Sequence, residues 1–572
     1  MPRTRKGVLV IVGLLVMLAL FLACKAPEAV RTSQEGGGAG TPIVLPTRTP
    51  LPADVKPIPG GVLRSYYPAD PPYWDPNMGV SNYAYETLQR VHTTLVQFPF
   101  GPKFSKWDLD IDTANSFAQS WEVSQDGLTY TFHLRQGVKW QNIPPMNGRE
   151  FVATDAKFAL ETQIKTGSAP RHSQLEVINS IECPDKYTLV LHLKERRADM
   201  LQILASPYCI IDLAPELVAA FGDLNSPKAV IGVGPFILED FVPSVKTVYK
   251  KNPNYYRSNE GLPYLDGIYN VMITDASTSL AGFRAEKIDI RGVSRIDLAS
   301  VKQTNPDIYC AEGELGASEF GLAFRTDKPP FSDARLRQAV SMALDRKSVI
   351  DTLYFGYALE QWGPIHAASP WYLKDQGECA KYYQYNPEAA RKLLADAGYP
   401  NGLSVSMLLY SPSEMDEFWV DSLSKVGIKV TMKTVELGAY MNVLYVQKSY
   451  DDIARVQMWG GATLCPDTWL NSIYGTGYVN NYSRVSDPKL DAMLNAQMVE
   501  MDPVKRQEII NDIQRYEACE MHYVHWPMSW GVTCMHSWVR DYQTHAASYH
   551  TGRIAELIWL TEDAPSRKGP GI

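Results

Sequence analysis

About 510 residues follow the Gly-, Pro- and Thr-rich stretch that ends near Ile58, and that length constrains the fold more than any motif does. A single hydrophobic core stops growing at roughly 250 to 300 residues, so at least two lobes must form. With 45% hydrophobic and 21% charged residues, the composition suits soluble lobes with packed cores. The formal charge is −8, from 55 basic and 63 acidic residues. Phosphate binding needs a basic face, so nucleic acid is not an expected partner.

The first residues carry a different signal. Arg3, Arg5 and Lys6 precede the apolar run Val8 to Leu22, which gives way to Ala23 and Cys24. This is the n-region, h-region and cleavage pattern of a secretory signal, and the run falls short of the ~20 residues a membrane span needs. It resembles a bacterial lipobox with Cys24 as the acylated residue and Phe21 where that pattern has Leu. Removing residues 1–23 takes away three positive charges and no acid, bringing the net charge from −8 to −11. Residues 24–58 lack any apolar period and read as a disordered tether. The expected place is therefore outside the cytoplasm, anchored to a membrane by lipid. Of the eight cysteines, seven remain once Cys24 is acylated, so at least one should be unpaired.

Further along, LTYTFHL at 128–134 places Leu128, Tyr130, Phe132 and Leu134 on one face of a strand and Thr129, Thr131 and His133 on the other. TLVLHL at 188–193 repeats the pattern, which puts His133 and His192 on solvated faces rather than at ligands. Helices follow. In FSDARLRQAVSMALDRKSVI, Leu336, Ala339, Val340, Ala343 and Leu344 recur at helical spacing behind Ser332 as the expected cap. In NPEAARKLLADAG, Asn386 caps, Pro387 opens the helix, Leu393, Leu394 and Ala397 point inward, and Gly398 stops it. Asp487 with Pro488 and Asp502 with Pro503 repeat that opening. Short strands such as LSVSMLL and IKVTMKTV alternate with these helices, the pattern of an open α/β sheet.

Two chemistries can be weighed from residue types alone. No GxSxG, HExxH or P-loop string occurs, so a hydrolase or nucleotidase would lack its usual first residues, although a carboxylate pair needs no motif. No catalytic residue and no cofactor is assigned. Cys519, His522, His525, Cys534 and His536 offer metal-ligand chemistry near the C-terminus. On an extended segment His522 and His525 point to opposite faces, so the expectation is a packed crossing strand, with Cys519 and Cys534 as a candidate pair, and no metal.

Five blocks in order carry a family likeness: GGVLRSYYPADPPYWDP, SWEVSQDGLTYTFHLRQGVKWQN, GVGPFILEDF, FSDARLRQAVSMALDRKSVI and YNPEAARKLLADAGYPNG. Together they resemble the extracytoplasmic solute-binding proteins of ABC importers, family 5, the group with oligopeptide, dipeptide and nickel binders. The likeness spans Pro59 to Trp559. It implies an α/β, two-lobe periplasmic-binding-protein fold of class II, with an extra subdomain in lobe I and a ligand enclosed as the lobes close. By that analogy lobe I covers 59–320, lobe II covers 321–528, and 529–565 returns to lobe I. The crossings would fall near Gly321 to Arg325 and His525 to Thr533. Arg335 and Arg337 are assigned to helix surface and lobe structure.

Specificity has to be argued from the site. MWGGATLCPDTWL, from Met458 to Leu470, has the look of a ligand-facing loop. The resemblance implies that peptide binders place an Asp three residues after the loop's Trp, to pair with the ligand's terminal ammonium. Trp459 matches, but the third residue after it is Ala462. An unpaired buried ammonium is costly, which leaves two readings. Either Asp467, the only acid in the loop, takes the ammonium, or the ligand has none and is held by stacking and neutral hydrogen bonds. The ligand-binding candidates are Trp459, Asp467, Trp469, Tyr66 and Tyr67.

The expected protein is thus a monomeric, non-enzymatic lipoprotein that captures a peptide or peptide-sized polar solute. Its partners are that ligand, the permease subunits of an ABC importer, and the membrane through its anchor. The alternatives are a binder of an oligosaccharide or metal chelate, and a secreted hydrolase.

Overall fold

The computed structural model describes residues 56–79, 81–101, 104, 110–111, 113–315, 319–367, 369–458, 466–478, 480–543 and 552–568. Cys24, Trp459 and Ala462 lie outside these residues. In chain order the first strands are β1 (Val62–Tyr67), β2 (Ala118–Val123), β3 (Thr129–Leu134), β4 (Ile178–Asp185) and β5 (Thr188–Leu193). They are followed by β6 (Phe236–Val242), β7 (Lys246–Lys251), β8 (Gly267–Met272), β9 (Ile290–Val293) and β10 (Tyr309–Leu315). Next come β11 (Glu319–Phe324), β12 (Ala358–Leu359), β13 (Leu403–Leu409), β14 (Ile428–Thr434), β15 (Ile453–Met458), β16 (Tyr523–His525) and β17 (Met528–Met535).

These strands form separate sheets that fall into two groups. One group holds the sheet β1-β8-β7-β6, the antiparallel sheet β2-β3-β5-β4, and β10-β17-β12 with β9 also paired to β17. The other is the sheet β14-β13-β15-β11-β16. Below, the first group with its helices, apart from β12, is called the first lobe, and the five-stranded sheet with its helices and the chain segment that carries β12 the second.

Alternation explains how each sheet is buried. In β3, Tyr130, Phe132 and Leu134 are buried in the core beneath β2–β5, as the period of two requires. His133 and His192 stand on the opposite face, 3.6 and 3.5 Å from Glu122 and Glu182. In the second lobe both faces are covered. Leu322 and Phe324 enter one core with Val405, Met407 and Leu409, while Ala323, Leu408, Ala454 and Val456 enter another on the far side. A sheet buried on both faces needs near-continuous apolar strands, which is what LSVSMLL supplies.

Local chemistry sets the helix starts. The Asn386 side chain accepts from Ala389 N, and Pro387 opens Pro387–Asp396. Asp487 and Asp502 cap the helices Pro488–Val499 and Pro503–Glu520 in the same way. For Ala334–Met342 the cap is Asp333 rather than the expected Ser332, since it is the Asp333 carboxylate that accepts from Arg335 N. Arg337, expected on the surface, is only 2% exposed. Its guanidinium donates to the carbonyls of Phe331, Glu520 and Met521, tying the helix to the chain just ahead of β16, and burial lowers its pKa.

Two glycines of GVGPF act by close approach. A Cβ on Gly234 would stand 2.5 Å from Val91 O, and one on Gly232 would stand 2.4 Å from both Val91 O and the Asp212 carboxylate. Any side chain there would push the segment off the end of the helix Asn82–Val91.

The cysteines pair differently from the expectation. Cys519 is bonded to Cys379 and Cys534 to Cys310. The candidate Cys519–Cys534 pair fails because the two residues belong to different lobes. Cys519 lies near the end of Pro503–Glu520, which packs against the segment Gly377–Tyr383. Cys534 lies in β17, directly across the ladder from Cys310 in β10. Among the described residues Cys183 and Cys209 are free.

Candidate functional site at the ends of β1 and β15

Strand β15 runs parallel to β13 and ends at Met458. The next described residue, Pro466, opens the helix Pro466–Tyr474. The carboxyl end of a parallel strand that is followed by a helix is the position at which open α/β sheets form ligand crevices. Met458 is paired with Glu319, the first residue of β11. Only four residues earlier, Leu315 is paired with Trp530 of β17 in the first lobe. β15 thus ends at the point at which the chain passes between lobes.

That passage is a two-stranded ribbon. β10 pairs with β17 from Tyr309↔Met535 to Leu315↔Trp530, and β11 pairs with β16 from Gly321↔His525 to Ala323↔Tyr523. Gly321 to Phe324, placed by analogy at the crossing, form the part of β11 that is already built into the second lobe's sheet.

The helix after the loop carries two of the expected residues. Asp467 is the second residue of that helix. Trp469 is 4% exposed and packs in a core with Tyr440, Leu470 and Tyr474. Its indole N–H donates to Pro364 O at 2.6 Å, so the one polar atom of that ring is already engaged.

The other two expected residues lie at the carboxyl end of β1, which runs parallel to β8. Tyr67 is buried, edge-on to Tyr83 at 6.5 Å, with the Arg90 guanidinium 5.6 Å from its ring centroid. Burial drives its hydroxyl pKa well above the ordinary range. Tyr66 is half-buried, and the Arg291 guanidinium lies 5.5 Å from its centroid. Sequence reasoning missed Arg291, which is far from Tyr66 along the chain. Its place follows from an ion pair two residues earlier along each segment, between Arg64 in β1 and Asp289 just ahead of β9. Arg64 Nη2 meets Asp289 Oδ1 at 2.6 Å, Arg64 N donates to Asp289 Oδ2 at 2.7 Å, and Asp289 N donates to Arg64 O at 2.8 Å. With Arg64 held beside Asp289, the period of two brings Tyr66 beside Arg291. Arg291 is fixed in turn by Ser279 Oγ and by the carbonyls of Ala276 and Gly292. The result is an aromatic face backed by a cation whose donors are taken.

The candidate metal ligands are not gathered. The two thiols are consumed in separate disulfides, and the imidazoles meet Glu517 at 2.9 Å, the Tyr474 hydroxyl at 3.0 Å and Phe283 O at 2.8 Å, for His522, His525 and His536 respectively. A cavity of about 60 Å³, lined in part by Phe98, Phe100, Ile210, Arg553 and Ile554, lies elsewhere in the first lobe. No helix among the described residues is long and apolar enough to cross a membrane.

Comparison with known proteins identifies the family. Residues 113–481 match the model of bacterial extracellular solute-binding proteins, family 5, and the chain belongs to that family. It is a solute-binding protein with the two-lobe fold, and not an enzyme. It is 29% identical over 434 residues to heme-binding protein A of Haemophilus influenzae, covering 71% of this chain and 76% of that one. To di/tripeptide-binding protein 1 of Pseudomonas aeruginosa it is 28% identical over 424 residues, covering 69% and 77%. Among solved structures, the periplasmic binding protein DppA of Helicobacter pylori in complex with the peptide STSA superposes with a TM-score of 0.73 at 25% identity, covering 88% of this chain and 98% of that one.

Proposed function

We propose that this protein is the lipid-anchored binding component of an ABC importer, which captures a peptide or peptide-sized polar solute between its lobes and delivers it to the permease. The observation that carries the reading is that β15 ends at Met458, paired with Glu319, four residues beyond the pairing of Leu315 with Trp530 on the ribbon that joins the lobes. Relatives that bind di- and tripeptides and a neighbour solved with a bound tetrapeptide support a peptide as the solute. In this reading Trp459 and Tyr66 give the ligand aromatic faces, Tyr67 and Trp469 support them from beneath, and Asp467 takes a terminal ammonium. The lobes are drawn at 59–320, 321–528 and 529–565.

The test is a calorimetric titration with free and N-acetylated di- and tripeptides. A charge-assisted hydrogen bond in a closed cleft contributes roughly 1.5 to 3 kcal/mol, so acetylation and Asp467→Asn should each weaken binding about tenfold to a hundredfold. Loss on acetylation with a silent Asp467→Asn would place the charge on another element. Binding of a neutral solute in place of peptides, weakened by Trp459→Ala, would favour the stacking reading. Anchoring has its own test. Cys24→Ser should move the protein from the detergent phase to the aqueous phase on partitioning, and unchanged partitioning would remove the anchor from the proposal.

A further inference from the structure

A short segment of the second lobe reaches across onto the first. After the helix Arg346–Thr352 the chain turns through Tyr354 to Tyr357, with Tyr357 N donating to Tyr354 O at 2.7 Å. Gly356, at φ +81°, supplies the left-handed backbone that this reversal needs. Tyr354 remains rooted in the second lobe, packed against its core with its hydroxyl 3.8 Å from Met415 Sδ. The residues that follow form β12, and they pair with β17: Ala358 lies opposite Ser529 and Leu359 opposite Met528. Those are the first residues of β17, immediately beyond the passage from β16.

The same turn meets the first lobe a second time. Arg295 opens the helix Arg295–Thr304, whose Leu298 and Val301 are buried in the first lobe's core with Val293, Val532 and the Cys310–Cys534 pair. Its guanidinium lies 5.8 Å from the Tyr354 centroid and 5.5 Å from the Tyr357 centroid. One cation of the first lobe thus faces two rings of the second, next to an added strand on the connecting ribbon.

The geometry points to a hinge brace: residues 354–359, through β12 on β17 and through Tyr354 and Tyr357 on Arg295, set the resting angle between the lobes and so tune closure from outside the ligand site. This rests on the reading that the lobes pivot about the ribbon, and it is independent of what the ligand is. A contact that differs between two arrangements biases their equilibrium by its differential free energy. A guanidinium over aromatic rings is worth enough to move the open–closed ratio by about two- to thirtyfold.

The experiment uses the full mature chain carrying Cys24→Ser, without ligand, so that failure of the peptide reading leaves it interpretable. Arg295→Met and Tyr357→Leu should each change the radius of gyration by small-angle scattering, in the same direction. Combining them should add nothing to the change made by Arg295→Met alone, because that substitution already removes the contact with Tyr357. Tyr357→Phe keeps the ring and should match the parent. Hydrogen exchange at Met528 and Ser529 should rise in the first two variants and not in the third. If Arg295→Met fails to fold, Tyr357→Leu against Tyr357→Phe still decides. Scattering curves that superimpose for the parent and all variants, or single effects that add in the double variant, would overturn the brace.

Discussion

Replacing Cys310 and Cys534 together by serine is expected to lower the stability of the first lobe by about 5 kcal/mol. The bond closes a loop with a sequence separation of 224, and the loop-closure entropy returned to the unfolded chain is of that order. Equilibrium urea unfolding, followed by tryptophan fluorescence with and without a reductant, measures the effect. Reductant should do to the parent what the substitution does, and nothing to the variant's first-lobe transition. A loss below roughly 1 kcal/mol would mean that the β9-β17-β10 ladder and its apolar core hold the strands without help from the bond.

Asp289→Ala should have an effect of similar size and a different cause. The carboxylate is fully buried and meets Arg64 Nη2 at 2.6 Å, Arg64 N at 2.7 Å and the Trp538 indole N–H at 2.9 Å. Truncating it strands a buried guanidinium and two further donors, for an expected loss of about 3 to 5 kcal/mol. Asp289→Asn, which keeps an acceptor and the shape but not the charge, should lose less. The site should feel the change too, because the pair brings Arg291 over Tyr66. Near-ultraviolet circular dichroism of the tyrosine bands reports that coupling, and Asp289→Ala with unchanged stability would show that the network is not what joins β1 to β9.

Much of the fold could be read from local chemistry. The alternation at 128–134, the Asx-Pro helix starts at Asn386, Asp487 and Asp502, and the apolar runs of the second lobe each depend on neighbours within a few residues, and each appears where its pattern puts it. At the helix Ala334–Met342 the expected cap, Ser332, fell one residue early, and the Asp333 carboxylate that accepts from Arg335 N is the cap instead. Arg337 shows a different limit. Its burial depends on carbonyls at Glu520 and Met521, and nothing near it in sequence announces them.

Single residues of the candidate site could be named from the sequence, and their surroundings could not. The stretch after Met458 drew attention because Trp459, Ala462 and Asp467 stand together in the sequence. Tyr66 was named as well, but the Arg291 guanidinium beside its ring was not, since the distant Arg64–Asp289 pair places it there. The disulfides are of the same kind: their sequence separations are 140 and 224, and only the strand and helix packing selects the partners.

The Cys310–Cys534 bond has one more consequence. Every residue from β11 to β16 lies between its two cysteines, so the entire second lobe hangs as a closed ring from a single knot in the first. A protease that cuts one exposed turn within that ring yields a molecule in two chains that does not come apart. Such a nick is invisible on a non-reducing gel and appears as two fragments only after reduction. Outside the cytoplasm, a severed molecule can thus keep its two halves joined.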